Sequence, residues 1–314
     1  MGDLKERLRK ARETSWAHLG KNITFYLPGM FRYNGLRGAY PAVSITGADC
    51  QLQCDHCQGK ILEPMPAATE PEGLVEICKA LADKGSLGVL ISGGCDRQGR
   101  LPWKDFLSAI YQVKKDTGLY VSVHCGLLDK DTARGLKDAG VDQALLDVIG
   151  DDETYRSIYH VDFGVGAIRR TLEALNNAAL PVVPHVICGL YYGRMRSEKQ
   201  ALKIISDFEI EQLVIVALMA IRGTPAGTSQ GPSAEEVAEV IVEGRKLMPR
   251  VRTSFGCARE RGNEKMELYA IDAGVNRMAL PSDAAIERAK GYGLDIRYQR
   301  TCCSVSADFS ASTW

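Results

Sequence analysis

The stretch SITGADCQLQCDHCQGK, residues 44–60, sets Cys50, Cys54 and Cys57 in a C-x-x-x-C-x-x-C spacing on one short loop. The β-branched apolar run just before it, 42–46, reads as a strand, so the triplet begins four residues past a strand end. Working outward, similar runs recur at 88–94, 119–125, 143–149, 182–189, 212–220, 252–257 and 277–282. Each strand candidate is followed by a segment of helical period, the first at 70–84 and the last at 282–291. Several of these segments close on glycine, as KDAG at 137–140 and IDAG at 271–274 do, in the manner of helix C-caps. Eight βα units in about 250 residues predict an α/β protein of the (β/α)8 TIM-barrel type, with functional residues on the loops after the strands. A doubly wound open sheet has the same alternation but usually fewer strands. The chain reads as a single domain over 1–314, with an N-terminal extension (1–40), a barrel (41–291) and a tail (292–314) carrying Cys302 and Cys303. The extension is expected to be a helix and a loop covering one barrel mouth. The tail is either a frayed terminus or a metal-binding lid.

Composition narrows the function. The 314 residues are 45% hydrophobic and 25% charged, enough for one large core. Lys plus Arg equals Asp plus Glu at 39 each, so no overall basic field favours nucleic acid or an acidic membrane as partner. The first 20 residues read as a charged amphipathic helix without the apolar core of a signal peptide, and a cytoplasmic protein is expected. The longest apolar stretch, 213–221, is far short of the roughly 18 residues that span a bilayer, and reads as a buried strand. Ten cysteines without an export signal speak against a disulfide framework and leave metal ligation or catalysis, with some thiols simply packed. Cys78, inside the helical LVEICKALADKG, reads as packing.

Three thiolates on one tight loop suit three irons of a cubane and leave the fourth iron open as a substrate-binding site. The competing reading is structural zinc with His56 as fourth ligand. Zinc sites generally draw on two separated knuckles, and adjacent His56 and Cys57 could hardly both reach one tetrahedral ion. The spacing after a first strand resembles that of radical S-adenosylmethionine (SAM) enzymes. The resemblance implies that Cys50, Cys54 and Cys57 hold a [4Fe–4S] cluster whose free iron chelates SAM, and that reduction yields a 5′-deoxyadenosyl radical. It also implies SAM contacts. Ser92, Gly93 and Gly94 of ISGGCD resemble the segment that receives the amino group of SAM's methionine part. His56 stands where an aromatic hydrocarbon is usual in the family, and Asp147 where related enzymes place a ribose contact. His124 and His185 stand at neighbouring strand ends, where a hydrogen-bonded core histidine is the competing reading; Asp147 is harder to bury without a polar partner.

Further segments, VKKDTGLYVSVHCGLL (113–128), VVPHVICGL (182–190), MAIRGTP (219–225) and MELYAIDAGVNRMA (266–279), resemble biotin synthase across nearly the whole barrel. The cysteines holding that family's sulfur-donating [2Fe–2S] cluster align here with Ile91, Ser122 and Val183, while Arg252 matches its arginine ligand. Different thiols remain, Cys257 in SFGCARERG and the pair in RTCCS. The combination resembles the C8-acting component of the two-component lipoyl synthases. What this implies is an auxiliary [4Fe–4S] cluster on Cys257, Cys302 and Cys303, sacrificed as sulfur donor to an octanoyl chain on a lysine of a lipoyl-carrier protein. Implied partners are that octanoylated carrier, a sibling radical SAM protein for the second insertion, and a ferredoxin- or flavodoxin-type electron donor. The tail cysteines are expected to fold over the barrel mouth, with Ser304 or Arg252 as fourth ligand and Cys95, Cys125 or Cys188 as substitutes for one of the three thiols. The loops FYLPGMFRYNGL and YYGRMRSEK could admit the acyl arm. Two other readings are a radical SAM mutase or bond-cleaving enzyme on the same barrel, and a non-catalytic cluster carrier.

Overall fold

Strands that run as unbroken Val, Ile and Leu offer no face to water, and they belong in parallel sheets covered on both sides. In the computed structural model, which describes residues 2–33, 35–311 and 313, strands of this kind together with more polar ones, ten in all, form one parallel sheet. Asn34 of the leading loop and Ser312 and Trp314 of the tail lie outside the described residues. The chain opens with helix α1 (Gly2–Leu19), strand β1 (Asn22–Tyr26), a small hairpin of β2 (Arg32–Tyr33) and β3 (Leu36–Arg37), and β4 (Ala42–Ser44). It continues with α2 (Pro71–Asp83), β5 (Gly88–Ser92), α3 (Trp103–Thr117), β6 (Tyr120–His124), α4 (Lys130–Asp138) and β7 (Gln143–Asp147). A short α5 (Asp152–Thr154) runs into a π-helical turn (Tyr155–Tyr159), followed by α6 (Gly164–Asn177), β8 (Val182–Cys188), α7 (Glu198–Ile205) and β9 (Gln212–Ala217). Last come α8 (Ala234–Leu247), β10 (Arg252–Phe255), α9 (Glu264–Asp272), β11 (Arg277–Ala279), α10 (Asp283–Gly291) and β12 (Asp295–Gln299).

All eight strands read from the sequence are present and neighbour one another in chain order, β4 through β11, as the barrel reading requires. Local signals set the helix ends. Ser233 and Glu236 form a reciprocal capping box on α8, and Asp129 and Ser282 accept from the backbone N–H of Thr132 and Ala285 at the starts of α4 and α10. Gly140 and Gly274 follow α4 and α9 with φ of +88° and +76°, the left-handed conformation expected from KDAG and IDAG.

The sheet departs from the sequence expectation in three places. Two further strands exist: β1 pairs between β11 and β12, so the leading segment and the tail each add a strand to the barrel. Both strands sit in segments read as lying outside the eight units, and each, NITFY and DIRYQ, alternates apolar with polar residues instead of forming an apolar run. The expected strand over 213–221 ends at Ala217, and Met219 beyond it is 43% exposed on a loop. The leading helix does not cover a mouth: Arg12 and Ser15 tie it to Asp272 and Asn276 on the outer layer, while the hairpin after β1 lies beside the loop following β10.

The curled sheet leaves β4 and β12 as edges, bridged by the Ala39 N–H donating to the Arg300 carbonyl (2.6 Å). The tail does not fold over the mouth. After β12 it turns inside the sheet. The Cys303 carbonyl accepts from Gln212 Nε2 and Ser254 Oγ (2.9 Å each), and Ser304's from Gln143 Nε2 (2.8 Å). Arg277 donates to the carbonyls of Val305 (2.6 Å) and Ser306 (2.9 Å). Ala311 then pairs antiparallel with Tyr298 on the free edge of β12. Polar side chains on interior strand positions and the backbone of residues 303–306 thus satisfy each other where an apolar interior would leave the tail's carbonyls unpaired.

Replacing Arg277 by Met strands the carbonyls of Val305 and Ser306 and the Gln212 amide oxygen in a buried space. The variant is expected to lose about 2–4 kcal/mol of unfolding free energy in a urea titration, since each unsatisfied buried acceptor costs about 1–3 kcal/mol. An unchanged urea midpoint would mean that the tail's grip contributes nothing.

Candidate metal and cofactor site

The loop after β4 is wound tightly enough to bring its cysteines to one side. The Cys54 carbonyl accepts from the N–H groups of Cys57 (3.0 Å) and Gln58 (2.8 Å), and the Cys57 carbonyl from Lys60 (2.9 Å). Gln53 and Gln58 hold φ of +47° and +45°, left-handed conformations costing about 1–2 kcal/mol each that the surrounding contacts must offset. Cys54 and Cys57 are buried and Cys50 is partly exposed. Burial pushes the thiols of Cys54 and Cys57 up, Cys57 to about 11, and the repulsion of neighbouring thiols adds to it. Three adjacent thiols, two of them buried, can ionise together only beside a strong positive charge, and that donor chemistry fits an iron cluster. Among the described residues no three His, Cys, Asp or Glu side chains converge on a point as around a single ion; in a cubane each thiolate takes its own iron.

Neighbouring loops clamp this one. Gly94 donates its N–H to Thr46 Oγ1 (2.7 Å), and Gln51 donates to the Cys95 carbonyl (2.8 Å). A Cβ on Gly94 would stand 2.0 Å from the Asp49 carbonyl oxygen and 2.6 Å from Cys50 Cα, so only glycine allows the approach. On the far side Asp55, buried between the cysteines, bonds through its carboxylate to His160 Nε2 (2.7 Å) and the Tyr192 hydroxyl. Its carbonyl accepts from Ala226 (3.0 Å). Asp55 was not singled out from the sequence, where nothing separates it from a solvated loop acid.

Beside the loop lies a cleft with about 560 Å³ of space, walled by Leu52, Gly93, Cys95, Tyr155, Tyr159 and Phe163, with His124 and Asp147 at its polar end. His124 Nε2 lies 3.5 Å from Asp147 Oδ1, and the His124 and His185 rings meet edge-on at 5.9 Å. Burial would raise the Asp147 carboxyl, but His124, His185 and His56 together hold it down at about 2. Burial lowers His185 to about 4 against the pull of Asp147, while His124 is raised because Asp147 outweighs its burial. The His56 ring packs 5.4 Å from Tyr159, and among the described residues neither its buried Nδ1 nor the Tyr159 hydroxyl has a hydrogen-bond partner. Orphaned polar atoms beside a cleft fit a polar, ring-bearing ligand. The seven residues expected to contact SAM therefore divide. His56, Gly93, His124 and Asp147 are at or beside the cleft, and His185 supports His124. Ser92 and Gly94 are tied into the loop: the Ser92 carbonyl accepts from Ile45 (2.8 Å). Tyr155, Tyr159 and Phe163 were not foreseen, because the π-helical turn that presents two of them follows no strand pattern.

The second thiol group also comes together. Cys303, 2% exposed, packs with Tyr26 and Ala279 and is flanked by Cys257 and Cys302. Cys303 holds the Cys302 thiol down at about 6, against burial and with help from Ser304, whose Oγ is 3.0 Å from Cys302 Sγ. Cys257 is lowered as well, chiefly by Cys303, with Arg261 and Arg259 contributing, and Cys303 itself is raised by both neighbours. Soft donors poised to ionise suit a metal cluster. The suggested substitutes do not reach this group. Cys95 borders the cleft, Cys125 packs with its thiol 3.3 Å from the Gly126 carbonyl, Cys188 is buried beside Glu198, and Cys78 is core. Arg252 is also misplaced as a ligand: it begins β10 and lines a separate cleft with Arg297 and Asp308. Of the positions aligned with biotin synthase's cysteines, Val183 packs in the barrel interior, and Ser122 meets the Tyr40 hydroxyl at 2.8 Å. Ile91 instead packs in the main core, while its neighbour Leu90 contacts the interior cluster.

Gly94→Ala is expected to push the cysteine loop off the β5 exit, so that Cys54 and Cys57 in metal-free protein react with a thiol reagent about tenfold faster, as in a locally opened segment. Labelling rates equal to those of the parent protein would contradict the close approach.

The profile of the Radical SAM superfamily matches residues 44–207, more than half of the chain. Biotin synthase of Prochlorococcus marinus (strain MIT 9215) is 24% identical over 241 residues, covering 74% of this chain and 71% of its own. That of Burkholderia pseudomallei (strain 1710b) is 25% identical over 251 residues, covering 75% and 71%. Among solved structures, a methylornithine synthase superposes with a TM-score of 0.65 at 17% identity over 93% of this chain and 89% of its own. The FeFe-hydrogenase maturase HydG from Carboxydothermus hydrogenoformans gives 0.65 at 14% identity over 92% and 71%. No helix among the described residues is long and apolar enough to cross a membrane. The chain therefore belongs to the radical SAM superfamily as an enzyme related to biotin synthase, and that membership implies a [4Fe–4S] cluster and S-adenosylmethionine.

Proposed function

We propose that this enzyme inserts sulfur into an unactivated C–H bond, at C8 of an octanoyl chain carried on a lysine of a lipoyl-carrier protein. Cys50, Cys54 and Cys57 hold the SAM-binding [4Fe–4S] cluster in this reading, and Cys257, Cys302 and Cys303 hold an auxiliary one. The observation that carries it is the meeting of three thiols from two distant parts of the sequence inside the barrel, Cys257 and Cys302 lowered by the neighbouring Cys303. An isolated buried thiol is driven up and stays protonated, whereas three thiols side by side offer a metal a set of soft donors.

When bound, the two clusters with SAM supply a hydrogen-abstracting 5′-deoxyadenosyl radical and a sulfur to trap the resulting carbon radical. The protein's own residues bind, orient and exclude water. Tyr155, Tyr159 and Phe163 give the cleft an aromatic wall for an adenine, and Leu52 closes it from the loop side. Asp147, kept ionised by three histidines, accepts hydrogen bonds from ribose hydroxyls, while His124 holds its orientation. His124 lines this cleft beside Asp147, and Cys302 contributes to raising its ring, so it is within reach of the second thiol group as well. That position suits a substrate carbon that must be reached from both sides. The acyl arm enters from the other side of the mouth, through a cleft lined by Tyr192, Arg194, Met219 and Arg261, whose guanidinium donates to the Cys257 carbonyl (2.7 Å). A sibling radical SAM protein for the second insertion and a ferredoxin- or flavodoxin-type reductant belong to the same proposal.

Anaerobically reconstituted protein is expected to hold about eight irons, falling to about four when Cys257, Cys302 and Cys303 are replaced by Ser, with deoxyadenosine formation under dithionite retained. Incubated with an octanoyl-lysine peptide and SAM, the parent protein adds one sulfur by mass and the serine variant none. About four irons in the parent, with abundant deoxyadenosine and unchanged peptide, would favour a barrel enzyme without sulfur chemistry instead.

A further inference from the structure

We propose that the mouth formed by the loops after β1, β8 and β9 is a docking surface for an acidic protein partner, which on the proposed function is the carrier bearing the acyl-lysine arm. The chain as a whole is neutral, yet its charge is unevenly placed. Residues 27–41, 189–197 and 218–233 carry five arginines, Arg32, Arg37, Arg194, Arg196 and Arg222, and no Asp, Glu or Lys. Only Arg196 of the five forms an ion pair among the described residues, with Asp151 at 3.3 Å. The side chains of Arg32, Arg194 and Arg222 are exposed and make no hydrogen bond there.

The same three loops carry most of the protein's exposed large apolar side chains. Met30 (53% exposed), Leu36, Tyr192 and Met219 lie on them, and Ile61 is on the adjoining cysteine loop. These loops form one collar. Arg261 lies over the Phe31 ring at 5.1 Å and shares a cleft with Tyr192 and Met219. Tyr192 bonds Asp55 of the cysteine loop, and Lys60 of that loop donates to the carbonyls of Arg222 and Gly223 (3.0 Å each). Unpaired arginines interspersed with exposed Met, Leu and Tyr match a protein surface that is acidic at its rim and apolar at its centre. A nucleic-acid surface would call for aromatic stacking, and the exposed apolar groups here are chiefly aliphatic. The collar surrounds the cleft that leads by Arg261 to the Cys257 carbonyl, so a docked carrier would have its arm aimed at the second thiol group.

The test uses the full-length holoenzyme and two labelled octanoyl-lysine peptides of equal length, one with the lysine flanked by glutamates and one by glutamines. Fluorescence anisotropy at about 50 mM salt is expected to give about tenfold tighter binding of the glutamate peptide, lost at about 0.5 M salt where screening is strong. The double variant Arg32→Glu, Arg222→Glu is expected to lose that preference while forming deoxyadenosine from SAM at the parent rate, which confirms its folding. Equal binding of the two peptides by the parent, or an unchanged preference in the variant, would overturn the proposal, as would tighter binding of a single-stranded RNA of equal length. This outcome is separable from the chemistry. An acidic preference without sulfur addition sinks the sulfur reading and keeps the docking surface; sulfur addition to both peptides without preference does the reverse.

Discussion

The interaction on which the rest of this structure depends is the grip of interior polar side chains on the backbone of residues 303–306. A curled parallel sheet of ten strands has an inner face, and here Gln143, Gln212, Ser254 and Arg277 make part of it polar. These side chains have no water to turn to, so they need fixed partners. The returning tail supplies its carbonyls. The arrangement fills part of the barrel interior beside β7, β9, β10 and β11, and it brings Cys302 and Cys303 to Cys257. One set of hydrogen bonds therefore serves both stability and the assembly of the second thiol group.

The two thiol groups differ in electrostatic setting. Around Cys54 and Cys57 burial and mutual repulsion dominate, so both thiols stay protonated until a metal supplies positive charge. Around Cys302 hydrogen bonds with Cys303 and Ser304, with His124 nearby, lower the thiol against its burial, while Cys303 is raised in turn. Asp147, held ionised by its histidines, carries a negative charge into an otherwise aromatic cleft. The barrel thus offers one opening with aromatic walls and another lined by arginines. Two chemically different ligands could approach a common centre through them.

What the sequence by itself determined was whatever depends on near neighbours in the chain. Alternating apolar runs and glycine caps gave the eight consecutive parallel strands, and the C-x-x-x-C-x-x-C spacing gave the cysteine loop and the family, because strand period, helix capping and loop ligand spacing are local properties. Tertiary structure alone decided the rest. β1 and β12 exist because β1 pairs with both β12 and β11, far apart in sequence, and neither carries an apolar run that would declare it. Asp55 became a clamp, and the π-helical turn a cleft wall, only when loops from different βα units met. The tail was legible as cysteine-bearing but not as an interior strap, since its partners are single polar residues on separate strands. Arg252 matched a ligand by alignment yet falls at the wrong end of its strand, because position along a barrel axis is set by strand tilt and register and not by residue identity.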